Sequence, residues 1–545
     1  MSNSFTLALA ILAAAAQIYL FWRRLLGYLR FFQQEVYERA RFLHWLRWKS
    51  LTDPAWMAAI AAVALGSILP RTASLLGILA WLGLGTAQPD PRTTGKIPLR
   101  LTSRALRTQI AAFALTIVFY GTLMRILPLG LAVNQFVAAA ILLPILPLLL
   151  LGADLILMPY ETRLQRRFKS EAARRVAEVR PFIIGITGSY GKSSTKAMVA
   201  HILQFKGPTL AAAGSVNTLM GVTRHIRENL AKGDEYMVVE MGAFRRGSIR
   251  RLCELTPPSA AIITAVGTMH LERFGSTEEI VRAKSELAQA LPADGILVAN
   301  ADSPGALRIA RQTRCRVLLY GESSAEELDT RLLSITFSAR GTHFKIRHRG
   351  TDYDGFTPLL GRPIMLNMLG AYTLATALGM TPEIVLAALR ALRPVSNRLE
   401  VVEDNGITWI RDAYNSNPIG FRAALEVTAG LPVERRILVT PGVIELGPQQ
   451  YDANQALAAE AAAVCDYTLI VSETNRAAFE AGYRDSSRRG ALIPVENRTA
   501  AFRWLREQLR PGDSVILEND LPDLYENSGG LFFKNGYRRG AAQKA

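Results

Sequence analysis

Long apolar runs alternate with short basic stretches in the first third of the chain. The apolar runs are Phe5–Trp22, Trp56–Leu84, Ile110–Leu127 and Phe136–Met158. A helix needs about 20 apolar residues to cross the hydrocarbon core of a bilayer, so the first, third and fourth runs each have the length of one span. Pro70 and Arg71 interrupt the second run at its middle, which indicates two shorter spans. The pattern therefore predicts about five transmembrane helices within residues 1–160.

Arginine and lysine are concentrated between these runs, in the stretches 23–49, 92–107 and 163–169. Loops rich in these residues stay on the cytoplasmic side of a membrane, so all three stretches and everything after Tyr160 are predicted to lie in the cytoplasm. Arginines mixed with aromatic residues in the first stretch indicate an amphipathic helix on the anionic inner leaflet. Asp154, near the end of the last run, is interpreted as interfacial. The alternatives are a signal peptide, which would carry its basic residues before the apolar run, and a buried helical bundle in a soluble protein.

From Arg180 onward, apolar strand candidates alternate with helical stretches, which is typical of an α/β fold with a parallel sheet covered on both faces. The first candidates are 181–186, 236–241, 260–266, 295–299 and 315–320. The polar, alternating segment Leu332–Arg347 predicts an inserted hairpin. Helices are predicted over Leu366–Leu378 and Pro382–Leu392.

A domain boundary is predicted near Pro394. The dipeptide Asn405-Gly406 then predicts a hairpin turn, and strands near 436–440, 466–471 and 513–518 predict a smaller, Rossmann-like domain. The expected organisation is a transmembrane region (1–160), a basic linker helix (161–179), a central ATP-binding domain (180–393), a C-terminal domain (394–530) and a basic tail (531–545).

Net charge and cysteine content indicate which partner and which compartment to expect. A chain of 545 residues suggests about three domains, and its net charge of +17 suits either a nucleic acid or an anionic membrane surface. Because the basic residues flank the apolar runs, we expect a membrane and no nucleic acid. The three cysteines, Cys253, Cys315 and Cys465, are far apart and beside apolar runs, which is typical of reduced core residues in the cytosol.

The stretch Gly185–Ser194, with the sequence GITGSYGKSS, joins an apolar strand candidate to a helix-favouring run. Strand, glycine turn and helix N-terminus together hold a polyphosphate, because the N–H groups of the turn and the helix dipole favour anionic oxygens. Lys192 would reach the β- and γ-phosphates, and the Ser193 hydroxyl would take a Mg²⁺ coordination site. Ile186 stands where the common P-loop has its first glycine. The flanking strand and helix favour a phosphate loop over a chance glycine turn.

Four further stretches follow predicted strands, at the edge where open α/β sheets bind ligands. They are Val238–Gly242, Thr268–Ser276, Ala283–Leu287 and Arg411–Pro418. The first ends a buried strand in the carboxylate of Glu240, and a Mg²⁺ shared with the phosphate loop would give that charge a partner. Taken alone, His270 is more typical of a loop residue and Lys284 of a solvated helix residue.

The order and spacing of these stretches behind the phosphate loop resemble the Mur ligase family, ATP-dependent amide-forming enzymes of bacterial cell-wall synthesis. The resemblance is carried by His270-Leu271-Glu272 with Phe274-Gly275-Ser276, by Ala283-Lys284 and by Asp412-Ala413-Tyr414-Asn415. Within the family it is greatest to the ligases that join D-alanyl-D-alanine to a UDP-linked muramoyl tripeptide. The resemblance covers roughly residues 180 to 520.

The resemblance implies a role for each matching position. In the phosphate loop, ATP would be held by Thr187, Gly188, Gly191, Lys192, Ser193 and Ser194. Asn217 would lie near the γ-phosphate and Asn367 in the adenine segment. Arg398 and Asp412 would reach the nucleotide from the last domain. Ser193 and Glu240 would bind one Mg²⁺, and His270 and a carbamylated Lys284 a second. Lys192, His270 and Lys284 are the implied catalytic residues.

The implied reaction begins when an acceptor carboxylate attacks the γ-phosphate of ATP to form an acyl phosphate. An amine then displaces phosphate and forms the amide. Both steps accumulate negative charge, which two Mg²⁺ ions and Lys192 would stabilise. Domains that close over ATP would keep water from the acyl phosphate.

Three features depart from the family pattern. The adenine segment, Leu366–Gly370, lacks the second asparagine of the usual H-N-x-x-N, and the stretch Leu517–Asp523 is not the expected ending. Membrane spans stand where soluble members carry the domain that binds the uridine nucleotide. The acceptor therefore stays open between a UDP-linked, a lipid-linked and a polymeric cell-envelope precursor, with a small amino acid or dipeptide as the amine. The alternatives are a membrane-associated poly-γ-glutamate-type synthase and a P-loop ATPase coupled to transport.

Overall fold

The structure is a computed structural model. It describes residues 2–49, 70–88, 90–93, 98–129, 131–267, 274–322, 327–338, 340–393, 399–412, 417–444, 446–485 and 490–519. Contacts divide the chain into two compact units, one up to Leu164 and one from Gln165 to residue 521. The first unit is helical, and the second contains two β-sheets.

The helices of the first unit include three that are long and apolar enough to cross a membrane. The unit contains α1 (Ser2–Gln34), α2 (Arg39–Lys49), α3 (Pro70–Ala87), α4 (Ser103–Ile126) and the part of α5 (Leu131–Val179) up to Leu164. By length and composition, the candidate spans among the described residues are Ala8–Gln34, Ser103–Ile126 and Val133–Val179. The predicted span before Pro70 lies outside the described residues, and Ile78–Ala87 is a shorter apolar helix. A total of about five spans stays a prediction.

Apolar side chains of the first unit face outward as well as inward. Phe21 and Trp81 are fully buried, but Val118 on α4 is 63% exposed. The interior also contains polar side chains, since Gln17 and Gln135 are buried. Gln17 donates to a backbone carbonyl of α5 over 3.0 Å, and Gln135 donates to one of α1 over 2.7 Å. Such an arrangement is expected where hydrocarbon surrounds the helices, because buried polar groups must then find partners inside the protein.

The basic stretch 23–49 is not a single amphipathic helix, so that prediction is wrong. Residues 23–34 continue α1, with Phe31 and Phe32 buried in the core of the unit. A turn at Val36 and Tyr37, both with positive φ, then precedes the separate helix α2. The aromatic residues pack against other helices, although their mixture with arginines in the sequence indicates a helix on a membrane surface.

Asp154 is only 2% exposed and is held by two arginines from other helices. Its Oδ2 lies 2.7 Å from a guanidinium nitrogen of Arg39 on α2, and its Oδ1 lies 3.0 Å from one of Arg104 on α4. Arg107 and Glu161 form a second pair at 2.7 Å. A buried acid therefore ties α2, α4 and α5 together, and its interfacial position in a membrane stays a prediction.

Helix α5 is continuous through the predicted linker, so residues 161–179 are not a separate helix. Its last turns belong to the second unit, where Ala172 and Val176 are buried beside the larger sheet. Glu171 pairs there with Arg227 at 2.8 Å. Apolar packing on that sheet extends the helix beyond the point where the hydrophobic run ends.

Nine strands form the larger sheet, in the order β2-β3-β1-β4-β5-β6-β7-β8-β9. Neighbours are parallel from β2 to β7 and antiparallel from β7 to β9. The strands are β1 (Phe182–Thr187), β2 (Thr209–Ala211), β3 (Tyr236–Glu240), β4 (Ala260–Ile263), β5 (Ile296–Asn300), β6 (Arg316–Gly321), β7 (Thr330–Ser338), β8 (Gly341–His348) and β9 (Thr351–Thr357). The sequence missed β2, which is short, and β9, which is polar, so the predicted hairpin is a three-stranded meander.

Helices cover both faces of this sheet, as the sequence predicted. They are α6 (Lys192–Leu203), α7 (Leu219–Asn229), α8 (Ser248–Leu255), α9 (Thr277–Gln289), α10 (Pro304–Arg311), α11 (Arg362–Ala377) and α12 (Pro382–Arg390). Alternate residues of β1 enter different cores: Ile184 and Ile186 pack on one side and Ile183 on the other. A strand buried on both faces explains why its sequence is a continuous apolar run.

The smaller sheet has the order β10-β11-β15-β12-β13-β14, and only its β10–β11 pair is antiparallel. The strands are β10 (Glu400–Asp404), β11 (Ile407–Asp412), β12 (Arg436–Thr440), β13 (Tyr467–Val471), β14 (Ala491–Val495) and β15 (Ser514–Glu518). Its helices are α13 (Pro418–Gly430), α14 (Gln450–Val464), α15 (Arg476–Asp485) and α16 (Arg498–Gln508). The predicted turn is confirmed, since Asn405 and Gly406 both have the positive φ that a tight hairpin needs.

Candidate active site

The glycine turn after β1 closes directly on the first turn of α6. Gly191 has a φ of 82°, and a Cβ at this position would collide with the side chain of Asn367, so only glycine fits. Nζ of Lys192 donates to the backbone oxygens of Gly188 and Ser189, over 2.8 and 3.2 Å. The lysine, the turn and the N-terminus of α6 therefore form one loop of the kind that holds phosphates.

The flanks of this loop are anchored in the sheet. Thr187 ends β1, and its hydroxyl donates to the backbone oxygen of Met241 over 2.9 Å, which joins the ends of β1 and β3. Ser194, in the first turn of α6, is buried. These two predicted ATP-binding residues thus lie in the walls of the loop.

A carboxylate, a hydroxyl and an amide meet beside the loop. Glu240 is 1% exposed, and its Oε2 accepts a hydrogen bond from Ser193 Oγ at 2.8 Å. Its Oε1 accepts one from Asn217 Nδ2 at 2.9 Å. Ser193 Oγ also lies 3.1 Å from Ser215 Oγ. The structure brings together the three residues, Ser193, Asn217 and Glu240, that the sequence predicted separately.

This oxygen-rich corner fits a Mg²⁺ ion that is shared with a nucleotide. Mg²⁺ in phosphate sites keeps several waters and needs only one or two protein oxygens besides the phosphates. Ser193 and Glu240 supply such oxygens within hydrogen-bond distance of each other. Within the described residues there is no group of three or more His, Cys, Asp or Glu side chains that would hold an ion without a nucleotide.

Lys284, on α9, is buried rather than solvated and is 5% exposed. Burial, and then the charge of Lys192, lower the pKa of Lys284 well below its ordinary value of 10.5. Its Nζ donates no hydrogen bond to any residue that the structure describes. A lysine in this environment favours the neutral amine.

The other predicted residues have different positions. Asn367 on α11 lies against Gly191, and so borders the phosphate loop. Asp412 ends β11 in the smaller sheet, where its Oδ1 accepts a hydrogen bond from Leu399 N at 3.3 Å. His270 and Arg398 lie outside the described residues.

Sequence reasoning missed two residues that join the segments of this site. Ser189 Oγ both donates to Gly267 O and accepts from Gly267 N at 3.0 Å, and so links the phosphate loop to the segment just before residue 268. Lys196 lies one turn after Lys192 in α6 and reaches Glu240. A second lysine, one helical turn after the lysine of the phosphate loop, was the signal that could have found it.

Comparisons with known proteins agree with this geometry. The Mur ligase middle domain matches residues 186–375, and the Mur ligase glutamate ligase domain matches residues 397–518. The UDP-N-acetylmuramoyl-tripeptide–D-alanyl-D-alanine ligase of Mycobacterium tuberculosis is 32% identical over 357 residues, with 62% of this chain and 70% of the relative covered. The ligase of the same name from Escherichia coli is 33% identical over 298 residues, with 54% and 65% covered.

A solved structure shares the fold of the second unit. The MurF ligase from Thermotoga maritima, in complex with ADP, has a TM-score of 0.58 and 24% identity, and the match covers 65% of this chain and 80% of that one. The α/β architecture and the resemblance that the sequence indicated are thereby confirmed. The chain belongs to the Mur ligase family, whose members are ATP-dependent, ADP-forming amide ligases.

Proposed function

We propose that this chain is a membrane-anchored Mur-type ligase that joins a small amine, such as D-alanyl-D-alanine, to the carboxylate of a lipid-linked peptidoglycan precursor. The observation that carries the membrane part is the outward-facing apolar surface of the first unit, where Val118 is 63% exposed while Gln17 and Gln135 are buried. The named relatives act on a UDP-linked muramoyl tripeptide, which supports a related acceptor here. With the first unit in the membrane, the second would lie in the cytoplasm, where ATP is available.

The first chemical step forms an acyl phosphate. An oxygen of the acceptor carboxylate attacks the γ-phosphorus of ATP, the bond to the bridging oxygen breaks, and ADP leaves. Lys192 would swing from the backbone oxygens of Gly188 and Ser189 to the phosphate oxygens and stabilise the charge on them. Ser193 and Glu240 would hold a Mg²⁺ ion, which supplies further positive charge to the phosphates.

The second step forms the amide. The nitrogen of the amine attacks the acyl carbon, inorganic phosphate leaves, and the nitrogen loses a proton. Asn217, held by Glu240, would keep its amide next to the γ-phosphate position. Arg398 and Asp412 would contribute to nucleotide binding from the last domain, and Asn367 would border the loop from α11.

Lys284 is proposed to act as a carbamate. Burial disfavours the charged form of its amine, and the neutral amine can attack CO₂ with release of one proton, which gives a carboxylate in place of an amine. The low pKa of Lys284 supports this reaction because only the neutral form is nucleophilic. With His270, the carbamate would hold a second Mg²⁺ ion near the reacting phosphate.

An isotope experiment tests the reaction. Full-length protein in detergent would receive ATP, D-alanyl-D-alanine and an acceptor in which both carboxylate oxygens are ¹⁸O. An acyl phosphate transfers one ¹⁸O atom to inorganic phosphate for each amide formed, and mass spectrometry measures both products. ADP release without amide would instead support an ATPase coupled to transport, and amide formation without ¹⁸O transfer would exclude the acyl phosphate. Amide formation on a polyglutamate acceptor alone would support the polymer synthase.

A further inference from the structure

A second lysine of α6 occupies the corner that is proposed to bind Mg²⁺. Lys196 is 3% exposed, and its Nζ lies 3.7 Å from Oε2 of Glu240. The same ammonium group donates to the backbone oxygen of Gly214. A cation therefore already lies beside the carboxylate that is proposed to hold a metal ion.

Both charges of this pair are removed from water, which makes the contact specific. A buried lysine or glutamate is destabilising unless it is paired and hydrogen-bonded. Glu240 is 1% exposed and has Ser193 and Asn217 as further partners. Lys196 thus adds a positive charge beside a carboxylate whose two oxygens each already accept a hydrogen bond.

Lys196 also connects three segments of the chain. It is part of α6, it binds the start of the segment Gly214–Thr218, and it faces the end of β3. The far part of that segment is bound just after β3, since Gly242 N donates to Asn217 O over 3.1 Å. Moving Lys196 would therefore release one end of the segment that presents Asn217 to Glu240.

We propose that Lys196 is a positioning residue that also serves as a counter-cation, which keeps divalent ions from binding at Ser193 and Glu240 before the nucleotide arrives. Like charges a few ångströms apart repel strongly in a buried site, so a metal ion beside Lys196 needs the negative phosphates to offset the repulsion. The ion then enters together with ATP. This inference rests on the proposed Mg²⁺ role of Ser193 and Glu240.

The test measures Mn²⁺ binding to nucleotide-free, full-length protein in detergent, by electron paramagnetic resonance of the unbound ion. Lys196→Gln keeps a hydrogen-bond donor for Gly214 but removes the charge, and Lys196→Arg keeps the charge. We expect Lys196→Gln to bind Mn²⁺ at least about tenfold more tightly than wild type, and Lys196→Arg to resemble wild type. Lys206→Gln, an exposed lysine just after the same helix, is the matched control and should leave Mn²⁺ binding unchanged.

A purely structural role for Lys196 would lower thermal stability without tightening Mn²⁺ binding. If Lys196→Gln and Lys196→Met both fold and bind Mn²⁺ no more tightly than wild type, the inference is overturned. The variant Glu240→Gln tests separately whether the proposed metal site exists. If Glu240→Gln does not weaken Mn²⁺ binding in the presence of ATP, the proposed metal site is wrong; if it does and the Lys196 variants have no effect, only the inference about Lys196 fails.

Discussion

Ser193 Oγ donates a 2.8 Å hydrogen bond to Glu240 Oε2 and so joins the first turn of α6 to the end of β3. Ser193 follows β1 and Glu240 ends β3, and the parallel pairing of these two strands brings the residues together at one edge of the sheet. The corner of the site thus forms as a consequence of the sheet. A site that is built in advance needs little reorganisation when charge develops on a phosphate.

Replacing Lys192 by alanine should strongly lower the rate of amide formation without changing the fold. Nζ of Lys192 donates to two backbone oxygens of its own loop, and its proposed role is to stabilise phosphate charge. Loss of one such group from a transition state lowers the rate by about 10²–10³-fold. Amide formation measured by mass spectrometry, with circular dichroism as the folding check, tests this expectation. Lys206→Ala is the control, and near-normal turnover of Lys192→Ala would contradict the assignment of the phosphate loop.

Lys284→Met should be inactive yet more resistant to heat than wild type below pH 10.5. Because burial lowers the pKa of Lys284 well below 10.5, the unfolded chain binds a proton between the two pKa values that the folded protein does not bind. The free energy of unfolding of the wild type therefore rises with pH in this window, and the advantage of the methionine variant should shrink as pH approaches 10.5. Thermal melts in bicarbonate-free buffer from pH 7 to 10 measure the difference.

The proposed carbamate predicts a chemical rescue of the same position. Lys284→Ala leaves space where a short-chain carboxylate can replace the carbamate oxygens, so acetate or propionate should restore part of the lost activity. Chloride at equal ionic strength is the control. An active Lys284→Ala protein that does not respond to bicarbonate would show that the lysine is not carbamylated.

Much of this site was predictable because its signals are local. The phosphate loop has its strand, glycines and helix within one short stretch, and Glu240 and Asp412 each end a strand whose apolar pattern is plain. Lys196 and Ser189 were missed because their partners, Glu240 and Gly267, are distant in sequence. The polar strand β9 has no apolar alternation, since its pairing with β8 rather than burial holds it in the sheet.

Asp154→Asn should lower the thermal stability of the first unit. Asp154 is 2% exposed and neutralises two arginines, Arg39 and Arg104. Removing one partner of a fully buried ion pair costs about 3–5 kcal/mol. Because the two arginines are partly exposed, we expect a smaller loss of stability here, but one above about 1 kcal/mol. Melting of the detergent-purified protein, followed by tryptophan fluorescence, measures the shift. Asp90→Asn, which breaks a more exposed pair with Arg92, should change the melting temperature less; an equal or larger change would argue against the role of Asp154.

The basic segments predict a membrane topology for the first unit. Reporter fusions after Lys49, after Arg100 and after Ala545 should all report the cytoplasm, because cytoplasmic segments are rich in arginine and lysine. A reporter inserted between Pro70 and Arg71 should report the opposite side. Finding any of the three basic positions outside the cell would exclude the proposed arrangement.

The proposal as a whole depends on whether the acceptor is bound to the membrane or dissolved in the cytoplasm. A membrane-anchored enzyme meets a lipid-linked acceptor at a high effective concentration without any new contact. The direct measurement is kcat/KM of the full chain in lipid nanodiscs, with ATP and D-alanyl-D-alanine, for a lipid-linked and for a soluble UDP-linked muramoyl tripeptide. We predict at least about a tenfold preference for the lipid-linked acceptor. Equal or faster turnover of the soluble UDP-linked tripeptide would contradict the proposal and leave the first unit as an anchor alone.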